Sequence, residues 1–507
     1  MTGDCYITTP IYYVNDEPHI GHAYTTVLAD IVARYRRLQG SEAFFLTGTD
    51  EHGQKVRDAA LENGLDPKTQ ADRMVVRYLS TWKTLNISHD DFIRTTEARH
   101  VRLVESVLQR LWAKGEIYFG EYEGWYCVPD ERYWTEKDLI NGTCPDCLRP
   151  AERLVEKNYF FRMGKYQDWL VGYLSDHPEF IRPASRKNEV QGFLRQPLGD
   201  LCISRPVERL DWGIRLPFDR RYVTYVWFDA LINYLTAAGF QSDDQMFARL
   251  WPNATHLIGK DILITHAVYW PTMLRAIGLP PPRAIFAHGW WNVGGAKVSK
   301  STGNVVRPFD LAAALGSDAF RYFLAREMAM GHDADFSDEL FHRRYAGTLA
   351  NGLGNLVHRL TSMIIRYCAG VVPEVRSVSE QEIDLRDRCM RLVDSVFENV
   401  DALSLHRALR EVEAVIRDLN RYVERNAPWT LYKQGDFEAV RKVVYTASEA
   451  LRLVSILVHP VMPDKTREIW QCLGWRPDGE LTEGLKWGTL RPGSTATRRP
   501  PLFPRVE

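Results

Sequence analysis

The chain has 507 residues, 45% of them hydrophobic and 25% charged, values typical of soluble globular proteins, and this length predicts more than one domain. The 64 Lys and Arg residues balance 65 Asp and Glu residues, and the net charge of −1 excludes a protein that coats nucleic acid through bulk charge. No stretch approaches the roughly 20 apolar residues of a membrane span, and the N-terminus has no basic region followed by an apolar run. We therefore expect a cytoplasmic protein without a membrane partner.

The first elements of the chain predict a nucleotide-binding sheet. Residues 6–13 are rich in strand-forming side chains, and residues 15–18 have turn chemistry. A helix is expected from Gly21 to Gly40, because apolar residues recur on one face, and residues 43–47 form a short apolar run typical of a buried parallel strand. Strand, helix and strand at this spacing form a βαβ unit.

The rest of the chain divides by pattern. Residues 116–220 contain short strands, turns and a cysteine cluster, and we interpret them as an inserted connective module with a Cys knuckle. Alternating strands and helices resume in residues 221–350 and complete the sheet begun by residues 1–115. Residues 351–507 are almost entirely helical, with a tail rich in Pro and Arg. The predicted fold class is α/β, a Rossmann-like parallel-sheet domain with an insertion, followed by an all-α helical bundle.

The strongest local motif is His19-Ile20-Gly21-His22, between a strand and a helix. A helix N-terminus attracts phosphate, and Gly21 lets a nucleotide approach the backbone closely. Two imidazoles from the first turn could donate to phosphate oxygens. The alternative is a chance pair or half of a metal site.

A second motif, Lys297-Val298-Ser299-Lys300-Ser301, lies in a loop of small residues. Two ammonium groups in such a loop could close on a triphosphate and offset the charge that builds up between its phosphates. A solvated basic loop is the alternative for this motif alone.

Together, and in this order, the two motifs resemble the signatures of class I aminoacyl-tRNA synthetases, with Val298 where the family often has Met. The resemblance implies that the carboxylate of an amino acid attacks the α-phosphate of ATP, used with Mg2+. An aminoacyl-adenylate and pyrophosphate result, and the acyl group then moves to tRNA. On this resemblance the catalytic residues are His19, His22, Lys297 and Lys300, and the ATP-binding residues also include Gly21 and Ser299.

Three further segments, residues 10–13, 227–234 and 261–271, resemble those that line the methionine pocket of methionyl-tRNA synthetases. The resemblance implies a methionine–tRNA ligase that charges tRNA(Met), including the initiator tRNA. Asp50 would bind the substrate ammonium group, and Leu231 replaces a Pro found in some relatives. The pocket residues implied are Ile11, Tyr13, Asp50, Trp227, Leu231, Tyr234, Ile262, His266 and Trp270, of which the last three are four residues apart and are expected on one helix face. Core packing is the alternative for each aromatic residue.

The cysteine cluster fits a structural zinc site. Cys127, Asp130, Cys144 and Cys147 form two pairs with the spacing of tetrahedral zinc ligands. The family usually has Cys or His where this chain has Asp130, so a metal-free knuckle with three buried thiols is the alternative.

The helical region at the C-terminal end is expected, by resemblance, to read the tRNA anticodon. Unpaired bases can stack on aromatic rings or guanidinium planes. The candidate contacts are Asn420, Arg421 and Trp487, with packing inside the bundle as the alternative. A monomer is expected, because the chain ends soon after the helical region.

Other functions are less consistent with the sequence. A synthetase for leucine, isoleucine or valine needs a long editing insertion, whereas the insertion here is only about one hundred residues. A synthetase for cysteine would need a catalytic zinc site, and nothing in this sequence supplies one. A non-catalytic tRNA-binding paralogue is expected to have lost one signature, and a small-molecule nucleotidyltransferase lacks a helical RNA-reading region.

Overall fold

The computed structural model describes residues 3–127, 132–134, 139–145, 148–293, 296–297 and 307–505. The strands within these ranges are β1 (Cys5–Thr8), β2 (Tyr12–Tyr13), β3 (Ala43–Asp50), β4 (Asp91–Arg94), β5 (Ile117–Cys127), β6 (Arg132–Trp134), β7 (Glu152–Phe161), β8 (Ile181–Arg182), β9 (Leu201–Cys202), β10 (Ser204–Pro206), β11 (Arg215–Leu216), β12 (Asp219–Thr224), β13 (Ala254–Gly259), β14 (Ala284–His288), β15 (Trp291–Val293), β16 (Ala296–Lys297) and β17 (Ala334–Phe336). The α-helices are α1 (Ile20–Leu38), α2 (Gln54–Glu62), α3 (Pro67–Thr84), α4 (Ala98–Ala113), α5 (Gln167–Asp176), α6 (Ala184–Phe193), α7 (Val226–Leu231), α8 (Asn233–Ala237), α9 (Asp244–Leu250), α10 (Trp270–Ile277), α11 (Pro308–Leu315), α12 (Ser317–Glu327), α13 (Asp338–Arg344), α14 (Asn355–Tyr367), α15 (Glu380–Asp401), α16 (Leu405–Asn426), α17 (Pro428–Lys433), α18 (Phe437–Val458) and α19 (Pro463–Leu473).

The central sheet is parallel, as predicted. β1 pairs with β3 on one side and with β13 on the other, β14 and β8 continue the sheet beyond β13, and β2 and β4 both pair with β3. Side chains alternate between its faces: Ile7 lies in the core that includes α1, and Tyr6 in the core that includes α10. Because the neighbours of β1 lie on opposite sides, the carboxyl end of β1 is a topological switch point, where ligands bind in folds of this kind.

Helix α1 starts at that switch point. The predicted helix is confirmed: Val27, Ile31 and Tyr35 are all buried along one stripe. The helix ends at Leu38 with Gln39 as its C-cap, and Gly40 follows with φ of 81°, a left-handed conformation that glycine adopts without a steric penalty. Its N-terminus therefore points at the ligand-binding edge of the sheet.

The segment between α4 and β13 forms small antiparallel sheets. β5 pairs with β6 and β7, β7 also pairs with β9, and β12 lies between β10 and β11. One strand of this segment, β8, returns to the edge of the central sheet beside β14. The insertion is thus anchored to the sheet.

Helices α14 to α19 form a bundle around α18, in which every residue from Thr446 to Val458 is buried. The tail packs back onto this bundle: Phe503 is buried, and the Tyr345 hydroxyl donates to the Pro504 carbonyl at 2.9 Å. No helix in the described part of the chain has the length and apolarity needed to cross a membrane.

The bundle holds the far half of α1. Arg321 of α12 is fully buried and donates to Asp30 of α1 at 2.7 Å and to the Val461 carbonyl at 2.9 Å. The Tyr35 hydroxyl donates to the Leu457 carbonyl at 2.7 Å. Both the sheet and the bundle therefore fix the position of the His motif at the start of α1.

Candidate active site

The two motif histidines lie against each other at the N-terminus of α1. His19 is the N-cap residue, and its Nδ1 accepts a hydrogen bond from the Gly21 N–H at 3.0 Å. His22 Nδ1 accepts one from the His19 N–H at 3.4 Å, and the two rings stack with centroids 3.7 Å apart. Because each Nδ1 is an acceptor, the proton of each neutral ring is on Nε2. The Nε2–H groups can then donate to phosphate oxygens.

Gly21 cannot be replaced without disturbing this arrangement. A Cβ at this position would lie 2.9 Å from Cε1 and 3.1 Å from Nδ1 of His19. Any side chain would displace the ring that caps the helix. The glycine of the motif therefore serves the geometry of His19 as well as the approach of a nucleotide.

His22 rests on an aromatic wall. The Tyr12 ring is 4.8 Å from the His22 ring, and the Tyr78 hydroxyl is 3.4 Å from His22 Nδ1. Burial, and then the proximity of His19, lowers the pKa of His22 well below its ordinary value. His22 is therefore a neutral hydrogen-bond donor near pH 7.

A third imidazole at this edge was missed by the sequence analysis. His288, the last residue of β14, lies 2.7 Å from the Thr25 hydroxyl through Nε2 and 2.7 Å from the Gly289 carbonyl through Nδ1. Burial lowers its pKa, so we assign a neutral ring that donates from Nδ1 and accepts from Thr25. Its position directly after a predicted buried strand was the available signal.

Next to the His motif, buried hydrogen bonds organise an aromatic pocket. The Tyr234 hydroxyl lies 2.9 Å from His266 Nε2, and His266 Nδ1 lies 3.0 Å from the Ile262 carbonyl. A carbonyl only accepts, so Nδ1 carries the proton and Tyr234 donates to Nε2. Burial lowers the pKa of His266 to about 4, and the ring is neutral near pH 7.

A parallel chain of hydrogen bonds passes through His256, which the sequence analysis also missed. Trp270 Nε1 donates to His256 Nε2 at 3.2 Å, and His256 Nδ1 lies 2.8 Å from the Thr8 hydroxyl. The His256 ring stacks on Tyr234 with centroids 4.1 Å apart. Burial, and then His266, lowers the pKa of His256 well below its ordinary value. The aromatic residues are thus fixed in orientation without any charge between them.

The predicted pocket residues fall into two groups. Leu231, Tyr234, His266 and Trp270 are almost completely buried, so packing is part of their role. Ile11, Tyr13, Trp227 and Ile262 are partly exposed, and the first three pack against the same cluster as Tyr234 and Trp270. The accessible wall of the pocket therefore consists of the partly exposed set.

The helix that carries Ile262 and His266 is less regular than predicted. Lys260–Ile262 form a 3-10 turn, Thr265–Tyr269 form a π-helical turn, and α10 begins at Trp270. His266, which contacts Tyr234, lies within the π-helical turn. Single π-helical turns occur frequently at functional sites.

Asp50 ends β3 beside this pocket, where it is 4% exposed. The next residue, Glu51, is fully buried and receives two hydrogen bonds from Arg94, at 2.6 and 3.0 Å. Trp212 Nε1 donates to the Glu51 carbonyl at 2.5 Å. The turn that presents the Asp50 carboxylate is therefore held on both sides.

Comparisons with known proteins agree with this geometry. The family model described as tRNA synthetases class I (M) matches residues 5–154 and 150–361, and the model of the anticodon binding domain of methionyl tRNA ligase matches residues 372–507. The chain belongs to the methionyl group of class I tRNA synthetases. The methionine–tRNA ligase of Caldanaerobacter subterraneus subsp. tengcongensis is 46% identical over 504 residues, which cover 99% of this chain and 79% of the relative. That of Streptomyces coelicolor is 41% identical over 521 residues, with coverage of 99% and 96%.

Comparison with solved structures also identifies methionyl-tRNA synthetases as similar proteins. Mycobacterium tuberculosis methionyl-tRNA synthetase in complex with methionyl-adenylate matches with a TM-score of 0.96 and 40% identity, covering 99% of this chain and 100% of that chain. The apo form of the same enzyme matches with a TM-score of 0.88 and 36% identity, covering 100% of this chain and 99% of that chain. The fold class predicted from sequence is confirmed.

The second signature of this synthetase family falls largely outside the described residues. Ser299 and Lys300 lie outside them, as does the side chain of Lys297. The backbone of Lys297 belongs to β16 and pairs with Asn292 of β15. The roles assigned to these three residues stay predictions.

The knuckle of this synthetase is described only in part. Asp130 and Cys147 lie outside the described residues, whereas Cys127 and Cys144 are fully buried. Cys144 heads a tight turn, because its N–H donates to Arg149 and its carbonyl accepts from the Leu148 N–H at 2.9 Å. Within the described ranges, no group of three or more His, Cys, Asp or Glu residues could hold a metal ion.

The helical region of this synthetase gathers polar and aromatic groups on one face. Asn355 lies 3.4 Å from Asn420 Oδ1, and the guanidinium of Arg359, four residues further along α14, lies 5.5 Å from the centre of the Trp429 ring. Arg421 is exposed and pairs with Asp418. The sequence analysis did not single out Asn355 and Arg359, although their spacing on one helix was a possible signal.

Trp487 occupies a different environment from Asn420. It is partly buried and packs against the core of the bundle. The backbone on either side of it is tied to α18: Arg452 donates to the Lys486 carbonyl at 2.9 Å, and the Gly488 N–H donates to Glu449 at 2.6 Å. Its predicted role in RNA binding remains a prediction.

Proposed function

We propose that this chain is a methionine–tRNA ligase. It activates L-methionine with ATP, giving methionyl-adenylate and pyrophosphate, and transfers methionine to the terminal adenosine of tRNA(Met), including the initiator tRNA. One observation supports this most strongly. Tyr234 and His266 form a neutral aromatic cluster, Asp50 is a buried carboxylate at the end of β3, and the His19 and His22 rings stack at the start of α1, which begins at the same edge of the sheet.

The pocket suits methionine because it offers apolar and polarizable contacts without charge. A thioether is weakly polar, and it gains little from a charged partner but much from aromatic contact. The partly exposed Ile11, Tyr13, Trp227 and Ile262 would contact the side chain, and the buried Leu231, Tyr234, His266 and Trp270 would fix its walls. Asp50 would bind the α-ammonium group and direct the carboxylate towards the phosphates.

The phosphate end would work by positioning and charge stabilisation. The Nε2–H groups of His19 and His22 would donate to phosphate oxygens, and Gly21 would let the nucleotide approach the helix. Lys297, Ser299 and Lys300 would close over the triphosphate and offset charge on the departing pyrophosphate. ATP would enter as its magnesium complex, and Mg2+ would neutralise part of the triphosphate charge.

Pyrophosphate exchange with each of the twenty amino acids tests the proposal directly. We expect exchange to peak with methionine, because no other amino acid combines an unbranched apolar side chain with a thioether. A maximum with leucine, isoleucine or valine would contradict the assignment. Absence of exchange with any amino acid, in a protein that still binds tRNA, would indicate a non-catalytic relative.

We further propose that the helical region reads the anticodon. Asn420 and Arg421 were inferred from the sequence, and Asn355, Arg359 and Trp429 lie beside Asn420 on the same face. An aromatic ring beside a guanidinium and two amides can stack an unpaired base and bind its edges. Trp429→Ala should reduce tRNA charging while pyrophosphate exchange is unchanged, and Trp487→Ala provides the comparison for the alternative contact. Equal loss of both activities would contradict either assignment.

Structural zinc is the remaining cofactor that we propose. Two buried thiols, Cys127 and Cys144, suit a thiolate site, and Asp130 and Cys147 would complete a tetrahedral set. The metal would stabilise the knuckle and take no part in the reaction. Metal analysis of the purified protein tests this, and a metal content near zero would favour a metal-free knuckle.

The organisation of the chain completes the proposal. We propose that residues 1–115 and 221–350 form the catalytic domain, that residues 116–220 form the connective module, and that residues 351–507 form the anticodon-binding domain. We also propose that the enzyme acts in the cytoplasm as a monomer.

A further inference from the structure

A buried carboxylate outside the predicted pocket joins the elements that form it. Asp229 lies on α7 and is fully buried. Its Oδ2 is 2.6 Å from His52 Nδ1, and its Oδ1 is 2.7 Å from His100 Nε2. His100 Nδ1 is in turn 3.1 Å from the Thr236 hydroxyl. Both oxygens of one carboxylate thus bind imidazoles from two different parts of the chain.

The cluster residues lie close in sequence to three of the predicted pocket residues, Asp50, Trp227 and Tyr234. His52 follows Asp50 by two residues, and Asp229 follows Trp227 by two residues. Thr236, at the far end of the cluster, is on the short helix α8 that carries Tyr234. The ammonium-binding carboxylate and two pocket walls are therefore connected through Asp229.

We propose that Asp229, with His52 and His100, is a positioning residue that sets the distance between the ammonium site at Asp50 and the side-chain pocket at Trp227 and Tyr234. This inference rests on the proposed function. The distance between these sites determines the length of side chain that fits when the ammonium group is bound. Asp229 would therefore act on the recognition of methionine and leave ATP binding unaffected.

The electrostatics agree with a permanently charged carboxylate. Burial alone raises the pKa of Asp229, but His52 and His100 outweigh it and lower the pKa to about 2. Removal of the carboxylate leaves two buried imidazole N–H groups without their acceptor, and such groups are costly unless they move. The turn after β3 and the helix α7 would then separate.

Asp229→Ala tests the proposal in pyrophosphate exchange. We expect kcat/KM for methionine to fall about 100-fold, as for a misplacement of roughly 1 Å, because the KM for methionine rises. The KM for ATP should stay within about twofold of the wild-type value, because the His19 and His22 geometry is untouched. The preference for methionine over norleucine, which has the same length without sulfur, and over leucine should also fall.

Two matched pairs separate positioning from general destabilisation. His52→Asn keeps an N–H donor near the place of Nδ1, and His100→Gln keeps one near the place of Nε2, so both should restore most of the activity lost in His52→Ala and His100→Ala. His459→Gln is the stability control, since His459 is a largely buried imidazole of the bundle with one hydrogen bond, 2.7 Å to Thr466. It should lower the melting temperature without changing either KM. If Asp229→Ala does not fold, the two histidine pairs carry the test.

The outcomes are distinct. A folded Asp229→Ala or His52→Ala enzyme with an unchanged KM for methionine would overturn the proposal, and so would an equal rise in the KM for ATP and methionine. Failure of the proposed function itself would be visible earlier, in a wild-type enzyme whose exchange does not peak with methionine.

Discussion

Two pairs of imidazoles lie at the same edge of the sheet, and they differ in how their ring nitrogens are bound. His19 and His22 stack at the start of α1, and each uses Nδ1 to accept a backbone N–H. His256 and His266 are buried deeper, and protein groups contact both nitrogens of each ring. The first pair carries its protons on Nε2, whereas in the second pair a hydrogen bond to a ligand would replace a contact with a protein group.

The difference shows how one side chain can act as a reagent or as a scaffold. At the helix end, the histidines replace the usual Ser or Asp cap and bring a donor to the phosphate site. In the pocket, His256 and His266 orient Trp270 and Tyr234, and burial keeps both rings neutral. Two kinds of variant test this comparison. One keeps the helix cap at His19 but removes the imidazole donor, and the other removes the hydrogen bonds by which His266 positions Tyr234.

The largest effect on activity is expected from substitutions at the N-terminus of α1. His19→Asn should keep the helix cap, because an Asn side chain accepts the Gly21 N–H, but it removes the imidazole Nε2 donor. We expect the rate of adenylate formation to fall about 100- to 1,000-fold, the range for loss of one preorganised donor to a developing charge. Single-turnover adenylate formation measures this, and thermal unfolding should show wild-type stability.

His22→Ala sharpens the same prediction, because it removes the second donor and the weak 3.4 Å contact with the His19 N–H but leaves the His19 cap on the Gly21 N–H in place. A comparable rate loss is expected, with little change in the KM for methionine. A His19→Asn enzyme that forms adenylate at the wild-type rate would show that His19 is only a helix cap.

A smaller effect is expected in the pocket. His266→Phe fills the space but leaves the Tyr234 hydroxyl and the Ile262 carbonyl without their partner, which costs about 1–3 kcal/mol of unfolding free energy. The KM for methionine should rise about tenfold through the misplaced Tyr234, with the KM for ATP unchanged. Denaturant unfolding and pyrophosphate exchange check the two parts, and His266→Gln is the conservative control. A stable His266→Phe protein with a normal KM would contradict the scaffold role.

The same comparison explains what the sequence could predict. The His motif and α1 are local: the motif, the apolar stripe and the glycine stop all lie between residues 19 and 40, and the structure agrees with the predicted stripe and stop. The hydrogen bonds of Asp229, by contrast, are not local. His52 and His100 reach Asp229 across 177 and 129 residues, and these pairings depend on the order of strands in the sheet.

Short motifs and family resemblance also had limits within single elements. The sequence predicted Ile262, His266 and Trp270 on one face of a regular helix, but a π-helical turn at Thr265–Tyr269 changes that face. Apolar periodicity does not encode such a turn, nor the contact that His266 within it makes with Tyr234 across 32 residues. In the helical region, the contacts of Asn355 with Asn420 and of Arg359 with Trp429 could be identified only once α14, α16 and α17 were packed together.

The smallest expected effect is on stability at mildly acidic pH. The pKa of His266 is about 4 in the folded protein, below the value of 6.5 for an unperturbed imidazole. Between these two values the unfolded chain binds a proton that the folded chain does not, so acidification favours unfolding. The stability contributed by the neutral ring is complete above pH 6.5 and is lost as the pH falls towards 4. For this one group the loss is at most about 3 kcal/mol.

Urea unfolding at pH 7, 6 and 5 isolates that contribution by comparing the wild type with His266→Gln, which cannot titrate. The variant should be less stable at pH 7, and the gap should narrow at pH 5, because only the wild type must keep this imidazole neutral against increasing acid. A gap for His266→Gln that stays constant from pH 7 to pH 5 would mean that the pocket tolerates a protonated ring. The contrast between a neutral scaffold and the donor pair at α1 would then have to rest on hydrogen-bond geometry rather than on charge.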